Sequence, residues 1–192
     1  MRRKALAMTL TAVVVAGCSS MKPEDFAGGK PTFVLEEYFA GKTRAWGLFE
    51  DRFGNVRRQF VVDITGVWDG RELVLDEDFT YSDGEVEERV WRIVKIDANR
   101  YEGRAGDVVG VATGTAYGNA LNWRYALDLK VGGSTRRVNF DDWMFLQPDG
   151  ILINRARVTK WGFDVGEVTV VFGKIKPADT ANGGDGRTDP NL

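Results

Sequence analysis

Apolar and polar residues alternate with a period of two through most of the chain between residues 33 and 176. Phe60, Val62 and Ile64 alternate with Val61, Asp63 and Thr65. Leu73, Leu75, Glu77 and Phe79 alternate with Val74, Asp76, Asp78 and Thr80. The longest run sets Leu121, Trp123, Tyr125, Leu127 and Leu129 against Asn122, Arg124, Ala126, Asp128 and Lys130; Val138, Phe140, Met144 and Leu146, then Val168, Val170 and Phe172, repeat it. Successive side chains of a strand point to opposite faces, so one apolar face per run means strands with one face in the core. Turn formers separate the runs: Phe53-Gly54-Asn55, Asp69-Gly70, Ser82-Asp83-Gly84, Val131-Gly132-Gly133 and Pro148-Asp149-Gly150. Asp-Gly between strands is a strong hairpin signal. The pattern therefore predicts an all-β fold, an antiparallel meander of about 8–10 strands. Closing it into a barrel removes its exposed edges, with a two-sheet sandwich as the alternative. Residues 32–40 have room for one short helical turn, and glycines at 103, 106, 110, 114 and 118 are placed for bulges or close backbone approach.

The first residues follow another rule. Arg2, Arg3 and Lys4 precede an apolar stretch from Ala5 to Ala16, and small residues lead into Cys18. This is the order of a secretory signal, too short for a membrane span. The ending Val15-Ala16-Gly17-Cys18 resembles the lipobox of bacterial lipoproteins. It implies cleavage after residue 17 and acylation of Cys18, hence a membrane partner through acyl chains. Ser19 stands where an inner-membrane retention Asp would stand, which implies the periplasmic face of the outer membrane. The expected organisation is a signal peptide at 1–17, a lipidated N-terminus and Gly/Pro/Ser-rich tether at 18–32, a barrel at 33–176 and a disordered polar tail at 177–192.

Composition narrows the chemistry. The chain has 26 Lys and Arg against 28 Asp and Glu, and three of the cations lie in the signal. Nothing clusters the positive charge that nucleic acid requires. Histidine is absent and Cys18 is the single cysteine, so His-based triads, thiol catalysis, the usual zinc sets and intramolecular disulfides are excluded. No cofactor motif occurs, and Asp141-Asp142 are adjacent on a strand, so their carboxylates diverge and do not suggest a metal site.

FAGKTRAWGLFEDRFGNVRRQF at 39–60, LDEDFTYSDGEVEERVWRI at 75–93, YEGRAGDVVGVATGTAYGNALNWRY at 101–125 and NFDDWMFLQPDGILINRARVTKWGFDVGEVTVVF at 139–172 are together similar to an uncharacterised family of bacterial lipoproteins, DUF3833. The resemblance implies a lipoprotein with a lipocalin-like barrel. It implies no activity.

Two charges sit on apolar faces: Glu77 beside Leu75 and Phe79, and Asp142 between Phe140 and Met144. An inward carboxylate must pair, take up a proton or meet water. Arg89, Arg92, Arg155 and Arg157 are the candidate partners, forming with Glu77 and Asp142 an interior polar network or ligand anchor. Trp91, Trp123, Tyr125 and Phe140 are candidate walls of a cavity. A barrel of this size either fills itself with side chains or holds one small ligand. The expectation is an anchored barrel that binds a small amphipathic or lipid-like molecule. The alternatives are a structural envelope lipoprotein without a cavity and a carboxylate-dependent enzyme.

Overall fold

The computed structural model describes residues 21–131 and 133–175. The expected signal peptide, Cys18 and the expected polar tail lie outside the described residues. Ten strands follow one another: β1 (Gly41–Asp51), β2 (Val56–Trp68), β3 (Glu72–Tyr81), β4 (Val86–Lys95), β5 (Arg100–Arg104), β6 (Val108–Tyr117), β7 (Ala120–Val131), β8 (Ser134–Leu146), β9 (Leu152–Lys160) and β10 (Phe163–Lys174). Each pairs antiparallel with its successor and β10 pairs with β1, so the sheet closes into a ten-stranded barrel. The barrel expected from the alternation is the observed fold, and no strand edge is left open. The inward faces are those read from the pattern: Val62 and Ile64, Leu73 and Leu75, Leu121 and Trp123, Val138 and Leu146, and Val170 and Phe172 are all buried.

One end of the barrel is plugged. A single helical turn, α1 (Leu35–Phe39), crosses it and buries Leu35, Tyr38 and Phe39. The Phe39 ring meets Phe172 edge-on at 5.6 Å. The Tyr38 hydroxyl donates to the carbonyls of Gly150 and Phe172, and Lys174 Nζ donates to those of Tyr38 and Ala40 at 2.7 and 2.6 Å. A cation on the last carbonyls of a helix satisfies groups that have no helical partner. The second half of the expected tether also packs on the barrel: a 3₁₀ turn at Pro23–Phe26 sets the Phe26 ring against Phe145 at 5.3 Å and Trp143 at 5.8 Å. All these elements lie within residues 21–175, which hold a complete core and a closed hydrogen-bond ladder. A closed ladder around one core is what a domain able to fold alone requires.

The glycines of β5 and β6 serve a large side chain. A Cβ on Gly103 or Gly114 would fall 2.6 or 2.4 Å from the Trp123 indole, which lies across both strands. Only glycine lets the wall approach the ring so closely.

Candidate functional site

The end opposite α1 is the mouth, bounded by the turns β1–β2, β3–β4, β5–β6, β7–β8 and β9–β10. Aromatic rings line its half of the lumen. Phe60, Phe79 and Tyr81 have centroids about 6 Å apart. Across the lumen, Tyr125 and Phe140 stack at 5.0 Å with an interplanar angle of 3°. Trp91 stands edge-on to Tyr125 at 5.4 Å and to Trp123 at 5.7 Å. Thus the four proposed wall residues all face inward, but at two depths. Trp91 and Trp123 are buried, whereas Tyr125, Phe140, Phe60 and Phe79 are half-buried.

A belt of polar groups crosses the lumen among these rings. Register puts Glu77 of β3 opposite Arg89 of β4. Arg89 turns its fork to Asp107 in the β5–β6 turn, with Nη2 and Nε donating to Oδ2 at 2.7 and 3.0 Å. Glu87 lies 3.5 Å away and accepts a hydrogen bond from the Tyr81 hydroxyl at 2.9 Å. Nearer the rim, Arg58 lies 3.4 Å above the Tyr81 ring and pairs with Glu85 and Asp83.

Glu77 has no hydrogen bond among the described residues. It is half-buried on the inward face of β3, beside Phe79 and opposite Arg89. Burial pushes its carboxyl up to about 7; Arg89 opposes the rise, while Asp107 and Glu87 add to it. Asp142 is buried on β8. Its Oδ2 faces the Tyr125 hydroxyl at 3.5 Å, and its Oδ1 has no partner among the described residues. Burial lifts it to about 7 as well, against the pull of Asn154 and Tyr125. The Asn154 Oδ1 beside it is likewise buried without a donor. Arg89 keeps its charge: burial works against it, but Glu77 and Asp107 hold its pKa above the ordinary value.

Three of the expected arginines do not join this belt. Arg92 pairs with Glu72, Arg155 with Glu167 and Arg157 with Asp164, all on the outer face. In β9 the inward residues are Leu152, Asn154, Ala156 and Val158, so both arginines of that strand point to solvent. Arg89 is the partner drawn inward, and it engages Asp107 rather than Asp142. Asp107, Glu87, Tyr81 and Asn154 complete the belt beyond the expected site residues; the alternation does carry Tyr81 on the face of Glu77 and Glu87 on the face of Arg89, whereas Asp107 and Asn154 follow no such pattern. Among the described residues, no three carboxylates come together to hold a metal ion. Two open depressions of about 590 and 420 Å³ lie on the flank, rimmed mainly by outward residues such as Arg124, Asp141 and Arg157, or Asp78 and Glu88, with Tyr125 and Phe140, or Phe79 and Glu87, also contributing to their lining. The inward-facing groups lie in the lumen, and the site is placed there.

The model of DUF3833, a family of proteins of unknown function, matches residues 12–174. The chain belongs to this family. No curated protein matches it. Among solved structures, this DUF3833 protein is similar to an S-type phycobiliprotein lyase from Guillardia theta. The two share 12% identity with a TM-score of 0.53, over 74% of this chain and 91% of that one. Identity this low speaks for the lipocalin-like fold alone.

Proposed function

We propose that the mouth half of the lumen binds one small amphipathic molecule, lipid-like in its apolar part. The observation that carries this is Glu77, a half-buried carboxylate without a hydrogen bond among the described residues, which shares the inward face of the mouth half with Phe60, Phe79, Tyr125 and Phe140. Small-ligand sites combine apolar walls with a few fixed polar groups. The belt sets Glu77, Glu87, Asp107 and Asp142 against Arg89, while Arg58 nearer the rim is already paired with Glu85 and Asp83, so the polar end of the ligand donates hydrogen bonds or carries positive charge. The solved neighbour, by its title a phycobiliprotein lyase, offers the same barrel and supports a ligand-taking reading by analogy only.

In this reading the chain works at the periplasmic face of the outer membrane, held by acyl chains on Cys18. The sequence order at 1–20 supports that address. Mass spectrometry of membrane-extracted protein tests it: acylated Cys18 at the N-terminus is expected, and an unmodified Cys18 or a soluble product overturns it. Native mass spectrometry of residues 19–192, expressed in the natural host and then extracted with organic solvent, tests the ligand. A co-purifying molecule in one-to-one amount is expected, and Glu77→Lys is expected to lose it. Protein mass alone, with an extract empty of any specific molecule, overturns the binding reading and leaves a structural envelope role.

A further inference from the structure

The mouth differs from the rest of the surface in a second way. Phe53, Trp161 and Phe163 are 74%, 85% and 73% exposed. They occupy two neighbouring tips, the β1–β2 and β9–β10 hairpins, which are joined by the β1–β10 ladder and by a hydrogen bond from Arg52 N to Val165 O. The plugged end exposes Val67, Ile96 and Ile151, but no aromatic ring to this degree among the described residues.

Trp161 is the telling residue. Its φ is +53°, and that of Gly162 is +83°, so the two-residue turn is left-handed at both positions. Such turns take Asn, Asp or Gly first, because a bulky side chain is strained there. Among the described residues, Trp161 is the one non-glycine residue with positive φ. It contributes no core packing in return. Its ring instead has the Lys160 ammonium above it at 4.6 Å, and Phe53 has the Arg52 guanidinium at 4.7 Å. A strained conformation that the fold itself does not use points to a use elsewhere.

Charge on the two tips indicates the partner. The segments 51–57 and 157–164 hold four cations, Arg52, Arg57, Arg157 and Lys160, and two carboxylates, Asp51 and Asp164. Asp51 pairs with Arg57 and Asp164 with Arg157, which leaves Arg52 and Lys160 without a carboxylate among the described residues. Aromatic rings beside uncompensated cations match the layering of a phospholipid interface. Rings settle at the boundary of head groups and acyl chains, and cations meet the phosphates. The rings stand on separate tips rather than forming one flat apolar face, which suits insertion into a fluid surface better than packing on a rigid one.

We propose that the mouth of the barrel docks on a phospholipid surface, with Phe53, Trp161 and Phe163 entering the interface and Arg52 and Lys160 meeting lipid phosphates. This goes beyond the ligand reading and stands without it. The N-terminal segment packs beside the β6–β7 turn, at the other end, through hydrogen bonds such as Phe33 N to Gly118 O. Rim docking is therefore a contact separate from any anchor on Cys18.

Flotation of residues 19–192, which lack acyl groups, with vesicles of phosphatidylethanolamine and phosphatidylglycerol in equal parts tests the proposal. The wild-type chain is expected to float. The triple variant Phe53→Ser, Trp161→Gly, Phe163→Ser is expected to bind about tenfold more weakly or less. Arg52→Gln with Lys160→Gln should lose the binding that added salt also removes. Circular dichroism and melting of both variants report that the barrel stays folded, since Arg52, Phe53, Trp161 and Phe163 are exposed and Lys160 is only half-buried. A wild-type chain that stays with the unbound protein overturns the proposal, as does a triple variant that floats equally well. Sedimentation of the wild type as a dimer that the triple variant abolishes, without flotation, would assign the rim to a protein contact instead. Ligand extraction from the triple variant separates the two readings, because the lumen is untouched.

Discussion

Glu36 and Glu77 are both enclosed carboxylates at opposite ends of one barrel, and the protein treats them differently. At the plugged end, Glu36 accepts from Lys95 at 2.5 Å and from the Tyr101 hydroxyl at 3.0 Å. Burial works to raise its pKa, yet these bonds outweigh burial and hold the carboxyl below its ordinary value. Near the mouth, Glu77 has no hydrogen bond among the described residues, and burial prevails. The rings follow a similar division: Phe33 and Phe39 at the plug and Trp91 and Trp123 deeper in the lumen are buried, while Phe60, Phe79, Tyr125 and Phe140 nearer the mouth keep exposed surface. One end is therefore packed and satisfied as a core requires. The other holds polar and apolar surface in a state that folding alone does not favour, the usual mark of a site built for a second molecule.

The largest expected effect tests packing at the two ends. Phe39→Ala removes a buried ring from the plug and should destabilise by about 3–5 kcal/mol. Phe140→Ala removes a half-buried ring from the lumen, and with partial burial at stake should cost about 1–2 kcal/mol. Denaturant unfolding of both variants measures the difference. Equal losses would mean that the mouth half is packed like the plug, and the comparison would fail.

Arg89→Met comes next. It leaves Asp107, Glu87 and Glu77 facing one another without their cation. The pair is part-buried, so removing one partner should cost about 1.5–3 kcal/mol, the worth of hydrogen bonds between charged groups. Asp107→Asn in the same background should recover part of the loss, because the orphaned charge is then gone. Arg155→Met, on the outer face with Glu167, should cost less than about 1 kcal/mol.

That contrast also shows why the interior was only partly legible. Strands β3, β7, β8 and β10 announce their faces through several regularly spaced large apolar residues, and their inward positions follow directly from the sequence. Strand β9 does not. Asn154 and Ala156 are inward but neither large nor wholly apolar, so nothing in the chain marks Arg155 and Arg157 as outward until the β8–β9 register is known. Asp107 lies in a turn, outside any alternation, and reaches Arg89 only because β4, β5 and β6 are neighbours in a closed sheet. The Glu36 site depends on α1 folding across the barrel end, a placement that no period encodes.

The third effect is on pH dependence. Glu77 and Asp142 each have a folded pKa raised to about 7 from ordinary values of 4.5 and 3.8. Between those limits the folded state holds more protons than the unfolded state. Stability therefore falls as pH rises from about 4 to about 7 and does not return above it, on the order of 3–4 kcal/mol for each group over the whole window and about 2 kcal/mol of it above pH 5.5. Outer carboxylates such as Asp51, lowered to about 2 with burial opposed by bonds from Asn55 and Arg57, lose their contribution well below that window. Denaturant unfolding should accordingly show greater stability at pH 5.5 than at pH 8, the window being that in which buried carboxyls with pKa near 7 ionise. The double variant Glu77→Gln, Asp142→Asn should remove most of this slope. A slope retained in the double variant would place its origin outside the belt.

The smallest effect belongs to the rim. Trp161→Gly replaces a bulky residue at φ +53° by the residue that conformation suits, in a position without core contacts. Relief of the strain should stabilise the barrel, offset in part by the greater freedom of glycine in the unfolded chain. The net gain should be about 0.5–1 kcal/mol. Trp161→Asn, which tolerates the left-handed region and restricts the unfolded chain more than glycine, should gain at least as much. Both variants should at the same time bind vesicles more weakly than the wild type. Stability rising while lipid binding falls identifies a side chain kept against the interest of the fold. If unfolding shows instead that Trp161 stabilises the hairpin, then its stacking with Lys160 outweighs the strain, and the conformation of the turn ceases to be evidence for docking.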